Sequence, residues 1–345
     1  MILVWEFVQF LLQKPWSQLC YSIIYYVLKR NANNSFKLSL FFLLLKIRSF
    51  VLGNLMNKSL AKLLSSAVVL GSIFFSLQTT ASPQDWQRIK RPIPATDGKA
   101  NPIGSYSNGC IIGAEPLPYK GEGYQVIRMN KNRYYGHPDM IAYLQRLGQK
   151  AKSAGLPTML VGDIAMPGGG RFLTGHASHQ MGLDADIWLR MGTMTDSEAL
   201  NSDGKGLLVV NRQTQRVDEN VWNNNHATLI KLAAQDPKVT RIFVNPAIKL
   251  KLCQTAGDDR AWLHKIRPWF GHDSHFHVRI ACPKDAAYCE DQAPVPAGDG
   301  CGDELYSWFE PAKPGSGSPK PKVTPPEPFL CQQVLSSPNS SEWLE

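Results

Sequence analysis

The sequence predicts an α+β domain: a small central antiparallel sheet with flanking helices and long loops, held by disulfide staples. Three observations carry that reading. Strand and helix candidates alternate irregularly over residues 82–345, which disfavours a doubly wound sheet. Stretches rich in Pro, Gly, Asn and Ser separate them. Six of the seven cysteines lie in the same region.

Ser82 to Tyr119 reads as an extended entry region. The spacing of Met140, Ile141, Leu144, Leu147 and Ala151 predicts a helix over Pro138–Lys152, with Pro138 in its first turn and Gly155 as its C-terminal cap. Thr158–Ile164 is a short strand candidate, followed by the Gly-rich loop MPGGGRF. Ala185–Leu189 reads as a strand, and residues 191–225 as a polar surface insertion. His226–Gln235 reads as a helix, Val239–Val244 as a strand, Pro246–Thr255 and Asp258–Ile266 as short helices, and His275–Ala281 as a final strand. From Pro311 to Pro328 the Pro, Lys, Gly and Ser composition cannot bury enough apolar surface to fold. Residues 311–345 are therefore expected to form a tail tied back by Cys331, leaving 82–310 as the working domain.

Residues 56–81 have the three-part layout of a secretory signal. MNKSLAK is basic, LLSSAVVLGSIFFSL is apolar, and QTTA ends in small residues, so cleavage is expected after Ala81. Residues 1–55 precede it, which is unusual for a signal. The expectation is that translation starts at Met56 and that 1–55 is an artefact of the gene model. The competing reading is a membrane segment around Leu38–Leu45, which is interrupted by Lys46 and Arg48 and is shorter than the roughly 18 apolar residues a span needs. No stable membrane anchor is expected after cleavage.

Residues 1–81 carry eight Lys or Arg and one acid, a net +7 that leaves only +2 of the formal +9 for residues 82–345. The basic balance belongs to the presequence, so no nucleic-acid partner is expected. Cys110, Cys253, Cys282, Cys289, Cys301 and Cys331 are an even set in an exported chain, which suggests three disulfides without choosing among 15 pairings. No C-x-x-C pair points to a structural metal instead.

The stretch GHASHQMGLDADIWL (175–189) offers His176, His179, Asp184 and Asp186. Zinc binds His nitrogen and carboxylate oxygen, and a catalytic site uses three protein ligands. Asp184 and Asp186 share a face if their segment is a strand. Alone, the stretch is explained equally well by hydrogen-bonding histidines and capping aspartates. A second cluster changes that: GHDSHFHVRI places His272, His275 and His277 within six residues, the last two projecting to one face of a strand. Five of the chain's eight histidines lie in these two clusters.

H-x6-D (His179 to Asp186) with a downstream H-x-H (His275, His277) resembles the lysostaphin / D-Ala-D-Ala metallopeptidase superfamily. The match narrows with SNGC, RYYGHPD, GGRF, GHASHQMGLDADI, RIFVNPAIK, RPWFGHDSHFHVR and GDGCG, which together resemble the penicillin-insensitive murein endopeptidase family over nearly all of residues 84–331.

The resemblance implies a Zn²⁺ site on the sheet, with His179, Asp186 and His277 as ligands. It implies His275 as general base or transition-state stabiliser, with His272 and His176 either orienting groups or ligands of a second metal. The family's D-G-K-H segment reads Asp203-Gly204-Lys205-Gly206 here, so Asp203 is a candidate metal ligand without its histidine. Asp184 can orient His179 or His176 through the distal ring nitrogen, and Arg171 can bind a substrate carboxylate; a strand-end hydrogen bond and a surface arginine are the ordinary alternatives. The implied disulfides are Cys110–Cys331, Cys253–Cys301 and Cys282–Cys289.

The implied activity is hydrolysis of D-alanyl–meso-diaminopimelyl cross-links between peptidoglycan stem peptides, in the periplasm. Zinc in such a site makes water a nucleophile at neutral pH. No serine or cysteine nucleophile is then needed, which accounts for indifference to penicillin. Trp269, Phe270, Tyr134 and Tyr135 can line a groove for peptide or glycan, or pack in the core. Two rivals keep the fold: a D-Ala-D-Ala carboxypeptidase, and a peptidoglycan-binding module without turnover, against which the presence of His275 argues.

Overall fold

The computed structural model describes residues 83–311, 325–337 and 342–344. The expected upstream segment 1–55, the signal peptide 56–81 and residues 312–324 of the expected tail lie outside them. No helix among the described residues is long and apolar enough to cross a membrane.

The central sheet has seven strands: β1 (Lys120–Gly121), β2 (Tyr124–Val126), β3 (Met159–Val161), β4 (Asp184–Trp188), β5 (Val239–Val244), β6 (Ile266–Pro268) and β7 (His275–Ile280). Their order is β6-β5-β7-β4-β3-β2-β1. The sheet is mixed, which corrects the expectation of a small antiparallel one. β2 runs parallel to β3 and β5 parallel to β6, while the other neighbours are antiparallel.

The physical reason is that parallel neighbours need a crossover, usually a helix. Helix α1 (Pro138–Ser153) connects β2 to β3, and helix α3 (Pro246–Thr255) lies between β5 and β6; helix α2 (Asn224–Ala234) precedes β5. The segment read as a helix over Asp258–Ile266 is a 3₁₀ turn, Ala261–Lys265, that feeds β6.

Helix α1 forms where its apolar spacing demands. Met140, Ile141, Leu144, Leu147 and Ala151 are buried, Pro138 sits at its start, and the His137 side chain accepts a hydrogen bond from the Asp139 backbone. The Gly155 N–H donates to Lys152 O, 2.9 Å away, from a left-handed backbone that suits glycine. These side chains join Phe276, Val278 and Ile280 of β7 and Ala185 and Ile187 of β4 in the main core.

A second, smaller core lies outside this sheet. The entry region contains an antiparallel hairpin, Asn101–Ser105 with Asn108–Ile112. It meets Trp86, Met166 and Phe172, together with Cys331 from helix Phe329–Leu335. Helix Phe329–Leu335 is thus held against this small core through Cys331. The three disulfides join Cys110 to Cys331, Cys253 to Cys301 and Cys282 to Cys289. The first closes 221 residues of sequence and pins the small core.

Candidate metal centre

Strand alternation builds the site. On β7, Phe276, Val278 and Ile280 enter the core, so His275, His277 and Arg279 share the opposite face. On β4, Ala185 and Ile187 enter the core, so Asp184 and Asp186 take that same face. The register then sets His277 opposite Asp186, Arg279 opposite Asp184, and Phe243 of β5 on the other side of His277.

The contacts follow. His277 Nδ1 lies 3.1 Å from Asp186 Oδ1, and its Nε2 lies 3.0 Å from Asp184 Oδ1. Arg279 donates to both Asp184 oxygens, at 2.7 and 3.2 Å. Asp184 thus touches the ring of His277, not those of His179 or His176 as expected; it meets His179 only at the backbone N–H, 3.1 Å away.

His179 arrives from the loop before β4 with φ of 69°, an unusual left-handed backbone for a non-glycine residue. That turn aims the fully buried ring. Its Nδ1–H donates to Ile164 O at 2.8 Å, and its Nε2 faces Asp186 Oδ1 at 3.3 Å. Phe172 stacks on the ring, with centroids 5.6 Å apart and planes 15° apart. His176 Nε2 lies 3.2 Å from the other Asp186 oxygen. His275 Nε2 stands 3.8 Å from that oxygen, and the His272 ring is 5.0 Å from the His275 ring.

Charge is tightly balanced here. Burial pushes the Asp184 carboxyl up, but Arg279 and His277 reverse this and hold it well below the usual carboxylate range. Burial likewise opposes ionisation of Asp186, which nonetheless sits well below the usual carboxylate range among His176, His179 and His275. Burial lowers His277, yet Asp184 and Asp186 overcome this and raise it to about 9. Asp186 pulls His176 up, but burial and the neighbouring histidines bring it to about 4. Burial and the adjacent His275 and His277 lower His272 to about 3, and burial chiefly lowers His275. At neutral pH, His176, His272 and His275 are therefore uncharged rings with free lone pairs.

These residues fit a metal ion. One donor atom each from His176, His179, Asp186 and His277 lies within 4.8 Å of the others. His179 Nε2, Asp186 Oδ1, His275 Nε2 and His277 Nε2 are buried without a hydrogen-bond partner, a costly arrangement unless something else satisfies them. The distal nitrogens of His179 and His277 already face a carbonyl and a carboxylate, the usual way a ligand ring is oriented.

The family model described as penicillin-insensitive murein endopeptidase matches residues 102–336. The chain belongs to this family. A penicillin-insensitive murein endopeptidase of Haemophilus influenzae is 79% identical over 284 residues, covering 82% of this chain and 99% of the relative. Proteins of the same name from Salmonella heidelberg and Salmonella typhimurium are each 51% identical over 270 residues, covering 78% of this chain and 97% of each relative.

Within this murein endopeptidase family member, one expected metal ligand, Asp203, is not among the donors that converge on the cluster. Asp203 is half exposed and ion-paired with Arg128 at 3.0 Å and Lys131 at 2.7 Å, so its charge is already spent. Arg171 acts on the Glu327 carboxyl, in the C-terminal segment. Tyr134 and Tyr135 stack on each other at 4.7 Å, with Tyr135 buried.

Asp163 is the residue sequence reasoning missed. It is buried, accepts from Arg133 at 2.9 Å, pairs with Arg128 at 3.4 Å, and lies 3.9 Å from His176 Nε2. Its only sequence signal was an acid at the end of an apolar strand candidate. Phe172 was noted only as part of a Gly-rich motif, although its ring covers both His179 and the Arg133 guanidinium, 3.9 Å from its centroid.

Proposed function

We propose that this protein is a periplasmic zinc endopeptidase. Exported by the signal at residues 56–81, it hydrolyses the D-alanyl–meso-diaminopimelyl cross-link of peptidoglycan through a catalytic domain spanning residues 82–310. The observation that carries the reading is the convergence of His179 Nε2, Asp186 Oδ1 and His277 Nδ1, two of them buried without partners. Two imidazole nitrogens and one carboxylate oxygen are a catalytic zinc donor set. Zinc held there would polarise the scissile carbonyl and acidify water.

The chain's own residues supply the rest. Asp184 Oδ1 faces Nε2 of His277, and Ile164 O accepts the Nδ1 proton of His179, so each ring turns its other nitrogen toward Asp186. His176 backs the second Asp186 oxygen. His275 Nε2 is buried, unpartnered and neutral at pH 7. It takes a proton from the attacking water and returns it to the leaving amine. His272, packed beside His275, holds its ring in place. No serine or cysteine takes part, consistent with the family's name.

Digestion of purified cross-linked muropeptide dimers tests this reading. Monomers with no free D-alanine are expected. Free D-alanine would instead indicate a carboxypeptidase, and unchanged dimers with retained peptidoglycan binding would indicate a module without turnover.

A further inference from the structure

Three aromatic side chains next to the site take no part in the chemistry above. Trp269 is 53% exposed and Phe270 72% exposed. Trp308 lies against both, with ring centroids 6.1 Å from Trp269 and 4.7 Å from Phe270. Large apolar rings grouped at a surface mark an interaction site.

The group is held firmly. The Trp269 N–H donates to Val244 O at 2.8 Å, Asn245 Nδ2 donates to Gly271 O at 2.9 Å, and the Asn245 N–H donates to His272 O at 3.1 Å. Gly271 and His272 both adopt left-handed backbone, which closes the turn after Phe270. On the other side, the Cys253–Cys301 disulfide ties the segment leading to Trp308 to helix α3, and an Arg267–Glu304 ion pair ties it to β6. Rings exposed yet fixed lose little freedom when something settles on them.

The platform is continuous with the metal centre. Phe243 stands between them, its centroid 5.7 Å from Trp269 and 5.4 Å from His277. Whatever lies on Trp269 and Phe270 reaches the cleavage site through one ring.

We infer that this platform takes the glycan strand of the murein, by stacking pyranose rings on Phe270 and Trp308, while the stem peptide lies over the histidines. The local charge selects this occupant over the peptide. Asp303 and Glu310 are exposed acids on the segment that carries Trp308, whereas the charge of Glu304 is taken up by Arg267. Stem peptides carry free carboxylates that these acids repel. The amino-sugar backbone, its lactyl group amide-linked to the peptide, is neutral and offers apolar C–H faces to aromatic rings.

This inference rests on the endopeptidase reading, and one experiment separates the two. The zinc-loaded wild type, Phe270→Ala and Trp308→Ala are compared on a cross-linked dimer that keeps its disaccharides and on the same dimer freed of sugar by an amidase. A few aromatic side chains commonly carry most of the binding energy of an interface. The expected ratio of kcat/KM on sugar-bearing over sugar-free dimer therefore falls roughly tenfold in either variant. An unchanged ratio in both variants overturns the platform, even if both substrates are cut more slowly. Failure of the wild type to cut either dimer overturns the endopeptidase reading instead. Phe270 is the more exposed ring, so its truncation tests the ratio with little risk to the fold.

Discussion

Asp184 Oδ1 lies 3.0 Å from Nε2 of His277, on the side of the ring away from Asp186. The same carboxylate accepts from Nε and Nη2 of Arg279. Asp184 therefore fixes which nitrogen of His277 faces Asp186, and it is itself held ionised by the strand next door. Asp184→Asn should lower zinc affinity about 10- to 100-fold, the usual effect of losing a group that orients a ligand. Competition with a chromophoric chelator measures this. Unchanged affinity would remove Asp184 from the account.

Zinc binding at His277 Nδ1 must displace a proton, because Asp184 and Asp186 raise that ring to about 9 against the effect of burial. Below that value protons compete for the nitrogen. The apparent zinc affinity should therefore climb as pH rises from 6 to 9 and level off above it, by at most about tenfold per unit from this one ring. Affinity that is flat over this range would contradict the assignment of Nδ1 as the ligand atom.

Asp163 carries two guanidinium groups at once, and Arg133 is nearly as buried as Asp163 itself. Removing one partner of a buried pair leaves an uncompensated charge, at a cost of about 3–5 kcal/mol. Asp163→Ala should lose stability on that scale in denaturant unfolding. Asp203→Ala, whose side chain is half exposed, should lose less than about 1 kcal/mol.

Lys249 is fully buried, its amine donating to Leu263 O at 2.8 Å and Asp299 O at 2.5 Å. Burial, with Arg267 nearby, lowers it to about 7. Its unfolded value is about 10.4, so between pH 7 and 10 the unfolded chain binds more protons and stability rises with pH. The slope from this group approaches about 1.4 kcal/mol per unit. Lys249→Met should flatten the stability curve over that window relative to wild type. An identical slope in both proteins would show that the amine is not depressed.

Much of this was legible in the chain. Helix α1 followed from five apolar positions, and β5 and α3 have the bounds that their composition suggests. The clustering of His176, His179, Asp186 and His277 was legible because strand alternation and short spacing put most of it within two segments. What was not legible depends on pairing between distant segments. The three-residue β6 carries no periodicity of its own and exists only against β5. The hairpin Asn101–Ser105 with Asn108–Ile112 was hidden in a Pro- and Gly-rich stretch for the same reason. The partner of Asp184 could not be read because only the β4–β7 register decides that it meets His277 instead of His179. Asp163 was missed because its arginine partners lie well upstream of it.

The central claim is that His179, Asp186 and His277 together hold one catalytic zinc. Metal content and dimer cleavage measured side by side on the protein beginning at Ser82, with His179→Ala and His277→Ala, test it most directly. Close to one zinc per chain is expected in the wild type, with chelator-sensitive cleavage restored by added zinc and with loss of both metal and cleavage in each variant. Full cleavage by either variant after chelation, with no zinc bound, would contradict it.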